Sequence, residues 1–150
     1  MDTKKCDFRS VGVLVRENKI LVQREKNGNE YALPGGNVQF GETSENALVR
    51  RYKAEIGADI LCDRLIWVEE LFWKWKNESA HGINFYYLIS LKNDSDIADE
   101  PFDSCEDNHD VSFEWVAIEE IGNLVIYPNF IKEKIKNISG NIEHFINYCE

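Results

Sequence analysis

Apolar and polar residues alternate near the start of the chain in a pattern that predicts a β-hairpin. Two runs rich in β-branched and aromatic residues, Phe8 to Val15 and Lys19 to Arg24, are separated by the polar pair Glu17 and Asn18. Short β-rich runs joined by a polar turn are typical of antiparallel strands. The segment Lys26 to Glu30 contains Asn-Gly-Asn and predicts a turn or loop after the second strand.

The hydrophobic pattern then changes to a helical period. From Thr43 to Ile56 the apolar residues recur at the three- and four-residue spacing of an amphipathic helix. Thr43 or Ser44 can cap the start of this helix, and Gly57 can end it in the left-handed conformation. The stripe that we expect to pack on a sheet consists of Leu48, Val49, Tyr52 and Ile56.

The second half of the chain predicts more strands, a long loop and a helical end. The β-rich runs cover residues 60–68, 71–75, 83–91 and 111–117. The acidic stretch Lys92 to His109 contains Pro101 and predicts a long surface loop. Pro128 to Ile138 has apolar residues at helical spacing, and we expect a last short helix after Gly140. The whole pattern favours the α/β class, with a mixed sheet between helices.

Length and composition add that the chain can form one domain over residues 1–150. A chain of this size, with 43% hydrophobic residues, can bury a sizeable core. No apolar run approaches the roughly 20 residues needed to span a bilayer. The first ten residues lack the apolar stretch of a signal peptide, so we expect a cytoplasmic protein without membrane contacts.

Charge and cysteine usage narrow the range of partners. The net charge of −10 disfavours binding to a nucleic-acid polymer, which requires clustered Lys and Arg. A small anionic ligand remains compatible with this charge if a divalent cation bridges it to the protein. The four cysteines are scattered and form no C-x-x-C pair, which favours reduced thiols over a disulfide or a zinc site.

Candidate chemistry is concentrated in one glycine-rich turn and the helix that follows it. Gly36 is separated by five residues from Glu42, which is separated by seven from Arg50. Glu55 and Gly57 then follow near the end of the predicted helix. This spacing resembles the Nudix box of the Nudix hydrolase superfamily, and the resemblance extends over most of the chain.

The resemblance has a recognisable entry and two departures. Tyr31 to Gly36 resembles the aromatic-x-Leu-Pro-Gly-Gly entry to the box. Within residues 36–58, however, Arg51 and Ala54 stand where the superfamily has its first two glutamates. The resemblance implies a Nudix-like α/β/α sandwich. Because of the two departures, we interpret residues 36–58 as a degenerate Nudix box.

The resemblance also implies a cation site on the predicted helix. Positions 51, 54 and 55 lie on one flank, where glutamates of a complete box crowd around a hard cation such as Mg²⁺. Glu55 is then a metal ligand and a catalytic residue, and the carbonyl of Gly35 is a second ligand unless Gly35 only forms a tight turn. Because Arg51 repels cations, we expect Mg²⁺ or Mn²⁺ to bind weakly or not at all.

Other site residues follow from the same resemblance. Arg51 is expected either to bind a substrate phosphate through its guanidinium or to form a surface ion pair with Glu55. Glu106 is the candidate for a further catalytic acid, the alternative being a solvated acidic loop. The positions expected to hold the motif in shape are Gly36, Glu42, Arg50 and Gly57.

Two functions remain open at this point. One is a Nudix-type hydrolase that cleaves a diphosphate linkage in a nucleoside diphosphate joined to another group. The other is a catalytically silent Nudix-fold module that binds a nucleotide or a partner. Either way we expect a small nucleotide or phosphorylated ligand, and the sequence leaves room for a homodimer. Most of Trp67, Phe72, Trp73 and Trp75 should be core, and one exposed ring of this set would suit stacking on a nucleobase.

Overall fold

Strands form most of the structure, a computed structural model that describes residues 5–107 and 109–149, without the side chains of Lys5 and Trp75. The strands are β1 (Lys5–Arg16), β2 (Lys19–Glu25), β3 (Glu30–Ala32), β4 (Gly35–Asn37), β5 (Ile60–Trp75), β6 (Glu78–Leu91), β7 (Phe102–Asp103), β8 (Val111–Ala117), β9 (Val125–Tyr127) and β10 (Glu143–Cys149). The α-helices are α1 (Ser44–Ile56) and α2 (Ile131–Lys134), and short 3-10 helices cover Asp94–Asp96 and Ile118–Asn123.

The strands join into one mixed sheet. Its order is β10-β5-β6-β1-β2-β3-β9, with β4 beside β1, and with β8 between β2 and β7. β1 runs parallel to β6 and antiparallel to β2, and β10 runs parallel to β5. The expected hairpin at the start of the chain and the expected mixed sheet are therefore both confirmed. Among the described residues, no helix has both the length and the apolar character needed to cross a membrane.

Helix α1 packs on one face of the sheet and begins and ends where the sequence predicts. The Thr43 hydroxyl accepts a hydrogen bond from the backbone N–H of Asn46 at 3.1 Å, and Gly57 ends the helix with φ of 80°. The buried side of the helix differs by one position from the prediction, because Val49 is 37% exposed. The residues of α1 that are buried are Ala47, Leu48, Tyr52, Glu55 and Ile56.

Gly12 on β1, which has no side chain, allows α1 to pack close to the sheet. A Cβ atom added to Gly12 would lie 2.7 Å from the hydroxyl oxygen of Tyr52 and 2.7 Å from Cδ1 of Ile89. Tyr52 is only 1% exposed and belongs to the core on this face. The glycine therefore sets the depth at which the helix lies on the sheet.

The predicted interruption between residues 68 and 71 is wrong, because β5 continues through it to Trp75. Charged residues stay in this strand because they have partners across the sheet. Glu69 is 1% exposed, yet its carboxylate accepts hydrogen bonds from Asn84 and Tyr86 on β6. A buried, paired carboxylate is compatible with a strand interior, whereas an unpaired one is not.

The predicted helical end of the chain is also wrong in its last part. The expected helix from Pro128 to Ile138 is reduced to α2, Ile131–Lys134, and the residues after Gly140 form β10 instead of a helix. Burial alternates along β10. Phe145 and Asn147 are partly buried, and Ile146 and Tyr148, each of which follows one of them, are exposed. This period of two is that of a strand.

Candidate active site

The glycine turn before α1 brings two backbone segments into close contact. A Cβ atom on Gly35 would lie 2.4 Å from the carbonyl oxygen of Ser10 on β1. A Cβ atom on Gly36 would lie 2.7 Å from Nε of Arg51, whose side chain crosses the turn. Both glycines are thus required for packing, and the second one leaves a passage for the Arg51 side chain.

Arg51 is placed at the centre of a cluster of charged residues. Its Nη2 donates to Oε1 of Glu55, four residues along the helix, and its Nη1 donates to Oε1 of Glu106 at 3.2 Å. The side chain of Glu55 is 7% exposed and that of Arg51 is 21% exposed. The ion pair between Arg51 and Glu55, one of the two alternatives that the sequence left open, is therefore present, but it is largely buried instead of solvated. The structure brings Glu106, from the predicted loop, to the same cluster.

The loop before β8 closes this cluster over Glu55. The hydroxyl of Ser104 donates to Oε2 of Glu55 at 2.8 Å, and the backbone N–H of Cys105 donates to the Glu55 carbonyl at 2.7 Å. Nδ1 of His109 lies 2.7 Å from Oε1 of Glu55 and 3.9 Å from Oε2 of Glu106. Ligand atoms of Glu55, Glu106 and His109 all lie within 4.8 Å of one another.

Neither His109 nor Ser104 is among the site residues that the sequence predicts. A signal for His109 was present, because it follows Glu106 by three residues in the motif Glu-x-x-His. Acidic and histidine side chains at such short spacing are candidates for a shared cation. Ser104 had no comparable signal, since its role depends on the return of the loop to α1.

The remaining motif residues lie beside the cluster. Arg50 forms a bidentate pair with Glu42, through Nη2 at 2.8 Å and Nε at 3.2 Å, and also donates to the carbonyl of Asn37 at 3.1 Å. The hydrogen bonds that Glu42 accepts from Arg50 and from the Gln39 N–H lower the pKa of the Glu42 carboxyl. The pair thus braces the turn against α1. Ala54 is exposed, and its methyl group offers no ligand atom.

A cavity of about 180 Å³ lies beside this cluster. Its floor is the Glu69 carboxylate, which accepts hydrogen bonds from Asn84 at 2.9 Å, Tyr86 at 2.7 Å and Asn147 at 3.1 Å. Burial and the nearby carboxylate raise the pKa of Tyr86 well above its ordinary value. The cavity is lined by Arg9, Val11, Gln23, Ala32, Leu33, Glu69, Leu71, Asn84, Tyr86, Tyr127, Pro128, Asn147 and Cys149.

The cavity and the charged cluster share a wall. Gln23 lines both the cavity and the small cleft that contains Arg51 and Glu55. Ala32 and Leu33 line the cavity, and the next two residues along the chain, Pro34 and Gly35, line the cleft. The two spaces are therefore adjacent along one short segment of chain.

Comparison with protein families identifies this arrangement. A model of the NUDIX domain matches residues 7–136, which include β1, the glycine turn, α1 and the loop that carries Glu106. The chain belongs to the Nudix family. The glycine turn and α1, which resemble the Nudix box, both lie within the matched residues.

Curated Nudix relatives match only part of the chain. An ADP-ribose pyrophosphatase of Methanocaldococcus jannaschii is 47% identical over 49 residues, which are 31% of this chain and 29% of that protein. The putative ADP-ribose pyrophosphatase YjhB of Bacillus subtilis is 39% identical over 64 residues, 43% of this chain and 30% of that protein. The matches therefore span less than a third of either relative.

Solved Nudix structures match over nearly the whole chain. The MutT protein of Bacillus halodurans superposes with a TM-score of 0.70 at 14% identity, covering 95% of this chain and 90% of that one. An ADP-ribose pyrophosphatase of Streptococcus suis gives a TM-score of 0.54 at 15% identity, covering 93% and 98%. At these identities the likeness concerns the fold, and it confirms the mixed α/β class that the sequence predicted.

Three of the four aromatic residues considered for base stacking lie away from the cavity, and the side chain of the fourth, Trp75, is outside the described residues. Trp67 is fully buried against Phe130, and Phe72 stacks on Tyr148 with ring centroids 5.0 Å apart. Neither lines the cavity, and nor does Trp73. Among the described side chains, the aromatic rings at the cavity wall are those of Tyr86 and Tyr127.

Proposed function

We propose that this Nudix protein hydrolyses the diphosphate linkage of a nucleoside diphosphate joined to another group, with ADP-ribose as the first substrate to test. Family membership supports a pyrophosphohydrolase. The names of two relatives, one an ADP-ribose pyrophosphatase and the other a putative ADP-ribose pyrophosphatase, support the choice of substrate. The catalytic assignment to Glu55 and Glu106, and the phosphate-binding assignment to Arg51, are part of this proposal.

The observation that carries the proposal is the shared wall between the cavity and the cluster around Arg51. A diphosphate next to Arg51 can receive two N–H donors from one guanidinium, which suits a phosphate oxygen pair. A nucleoside or sugar attached to it can then reach the cavity past Gln23. There the Glu69 carboxylate supplies an acceptor for N–H or O–H groups. A few polar groups in a mostly apolar cavity are typical of small-molecule sites.

The family implies a divalent cation, and the cluster fits one only in altered form. Its occupant in this structure is the guanidinium of Arg51, a positive charge bound by Glu55 and Glu106. Two carboxylates and an imidazole, that of His109, are a ligand set that suits Mn²⁺ better than Mg²⁺, which prefers oxygen ligands. When bound, a divalent cation neutralises diphosphate charge and lowers the pKa of a bound water.

The protein groups around that position have separate tasks in this proposal. Ser104 fixes one carboxylate oxygen of Glu55, so that the other faces the cluster. Glu106, with 36% of its side chain exposed, is positioned to accept a proton from an attacking water. The Glu42–Arg50 pair holds the glycine turn against α1 and acts only by positioning.

A specific observation favours the alternative, a silent module that binds a nucleotide. Each side-chain oxygen of Glu55 already has a donor, from Arg51 and His109 on one oxygen and from Ser104 on the other. A satisfied ion-pair cluster is stable without a metal, and such a protein binds its ligand without turnover. Binding and hydrolysis must therefore be measured separately.

The test compares hydrolysis and binding in matched variants. ADP-ribose, nucleotide sugars, dinucleoside polyphosphates and nucleoside triphosphates are assayed for phosphate-bond cleavage with Mg²⁺ and with Mn²⁺. Hydrolysis should be lost in Glu55→Gln and retained in Glu45→Gln, which removes an exposed acid from the same helix. If calorimetry shows that ADP-ribose binds while no substrate is cleaved, the silent module replaces the hydrolase.

A further inference from the structure

Two side chains contact a single carboxylate oxygen in the cluster. Nη2 of Arg51 and Nδ1 of His109 both contact Oε1 of Glu55, while Arg51 also holds Glu106. A cation bound between Glu55, Glu106 and His109 needs the two carboxylates that the guanidinium now holds. Arg51 and a bound cation therefore exclude each other at this position.

A second observation shows that the present partners of Arg51 do not satisfy it fully. Its Nε is buried and has no hydrogen-bond partner within the described parts of the chain. This Nε is the atom that lies beside Gly36, on the side of the glycine turn. A buried N–H without an acceptor is costly, so an acceptor placed at the turn would stabilise it. An oxyanion that also accepts from an Nη group is the natural bidentate partner of a guanidinium.

We propose that Arg51 couples cation binding to diphosphate binding at this site. In the free protein Arg51 holds Glu55 and Glu106 and keeps a cation out. A diphosphate beside the glycine turn accepts from Nε and draws the guanidinium off the two carboxylates. Glu55, Glu106 and His109 then become available together to a divalent cation. The inference rests on the proposed diphosphate ligand and adds the order of binding.

The charges support this order. Arg51, Glu55 and Glu106 together carry one net negative charge, and a cation entering the cluster meets the fixed positive charge of Arg51 nearby. Once the guanidinium binds phosphate, the two carboxylates present two negative charges to a divalent cation. Linkage makes the effect reciprocal, so a bound cation must tighten diphosphate binding by the same factor. Couplings of this kind are about 5- to 150-fold.

The first arm of the test uses Mn²⁺ alone and needs neither nucleotide nor turnover. Mn²⁺ affinity is measured by the loss of the electron paramagnetic resonance signal of the free ion. Arg51→Met should bind Mn²⁺ at least about tenfold more tightly than the natural protein. Adding His109→Ala to Arg51→Met should reverse most of this gain. Lys53→Met is the matched control, because it removes an exposed positive charge from the same helix and should change Mn²⁺ affinity little.

The second arm adds a non-hydrolysable diphosphate, the methylene analogue of ADP. It should tighten Mn²⁺ binding more in the natural protein than in Arg51→Met, in which the carboxylates are already free and only the direct attraction between Mn²⁺ and the diphosphate remains. Chelation of Mn²⁺ by the analogue itself is the same for both proteins and cancels in the comparison. Arg51→Lys, which keeps the charge without the two-armed guanidinium, should lie between them and serves if Arg51→Met does not fold.

The outcomes separate this inference from the proposed function. If Arg51→Met and Arg51→Lys bind Mn²⁺ no more tightly than the natural protein, the coupling is refuted even if ADP-ribose is hydrolysed. It is likewise refuted if the analogue tightens Mn²⁺ binding equally with and without Arg51. If the coupling is observed and no substrate is cleaved, the coupling stands and the hydrolase proposal fails.

Discussion

Two buried tyrosines provide a matched pair of substitutions with opposite expected effects on stability. Tyr52 is 1% exposed and Tyr86 is 3% exposed, so removal of either hydroxyl changes a fully packed ring by one oxygen atom. The hydroxyl of Tyr86 donates to Glu69 at 2.7 Å. The hydroxyl of Tyr52 is buried without a partner among the described residues. Hydrogen bonding is therefore the main difference between the two changes.

The magnitudes follow from that difference. Tyr86→Phe removes a hydrogen bond to a carboxylate, which contributes about 1.5–3 kcal/mol to the free energy of unfolding. Tyr52→Phe removes an unsatisfied buried hydroxyl, whose desolvation costs about 1–3 kcal/mol, less the packing of one atom. We therefore expect Tyr86→Phe to destabilise the protein by about 2 kcal/mol and Tyr52→Phe to stabilise it by about 1 kcal/mol.

Urea denaturation at neutral pH, followed by circular dichroism, measures both changes. In a domain of this size about 1 kcal/mol corresponds to a shift of roughly 2–4 °C in Tm, so calorimetry resolves the two signs as well. Equal losses of stability in Tyr52→Phe and Tyr86→Phe would refute the reasoning, because they would mean that the Tyr52 hydroxyl has a partner after all. A stabilised Tyr86→Phe would contradict the assigned bond to Glu69.

Two further predictions test the packing of α1 and the reactivity of the thiols. Gly12→Ala should destabilise the protein by about 1–3 kcal/mol, because the new Cβ overlaps Tyr52 and Ile89, and an unchanged urea midpoint would contradict the close contact. Burial first, and then the carboxylates nearby, raise the pKa of the Cys62 thiol to about 11. At pH 8 only about a thousandth of it is the reactive thiolate, so alkylation followed by mass spectrometry should modify the exposed Cys105 long before Cys62.

Local signals explain which parts of the fold the sequence predicts well. The start and end of α1 depend on one cap residue, Thr43, and one glycine, Gly57, and both lie within a few residues of the groups they bind. The first hairpin depends on a two-residue polar turn. Such features are decided by neighbours along the chain, which a sequence pattern contains in full.

Distant partners explain the failures. The strand character of β10 depends on pairing with β5, where Asn147 lies opposite Leu71 and donates to Glu69, 78 residues earlier in the chain. In the sequence alone, the segment after Gly140 is short, and the spacing of its apolar residues does not follow a single period. In the same way, Glu69 appears in the sequence as a charged interruption of a strand. Its partners on β6 and β10 are what make its burial favourable.

The residues of the candidate site also differ in how well the sequence predicts them, according to whether their partners are near or distant along the chain. Glu42 and Arg50 are expected from the sequence to hold the motif in shape, and the structure pairs them at the start of α1. Arg51 and Glu55, four residues apart on the helix, also form the ion pair that the sequence allows. The contribution of the later loop could be suggested for Glu106 only by analogy with the family. His109 reaches Glu55 because the loop returns to α1 through the Cys105 N–H, a contact between residues 50 positions apart that no local pattern contains.

Because Ala54 is exposed, we expect Arg51 and Ala54, the two departures from the Nudix box, to differ in their effect on cation binding. Arg51 lies among the possible cation ligands, whereas Ala54 is exposed on the helix. Arg51→Glu alone replaces a positive charge by a carboxylate beside Glu55 and Glu106, which removes the repulsion and adds an oxygen ligand of the kind that Mg²⁺ prefers.

Ala54→Glu alone adds a carboxylate that stays mainly in solvent while Arg51 still neutralises the cluster. We therefore expect calorimetric titration with Mg²⁺ to show most of the gain of the double change already in Arg51→Glu. Little gain should appear in Ala54→Glu. If the two single changes contribute equally, or if only the double change binds Mg²⁺, then position 54 faces the cation, and Arg51 is not the group that excludes it from the free protein.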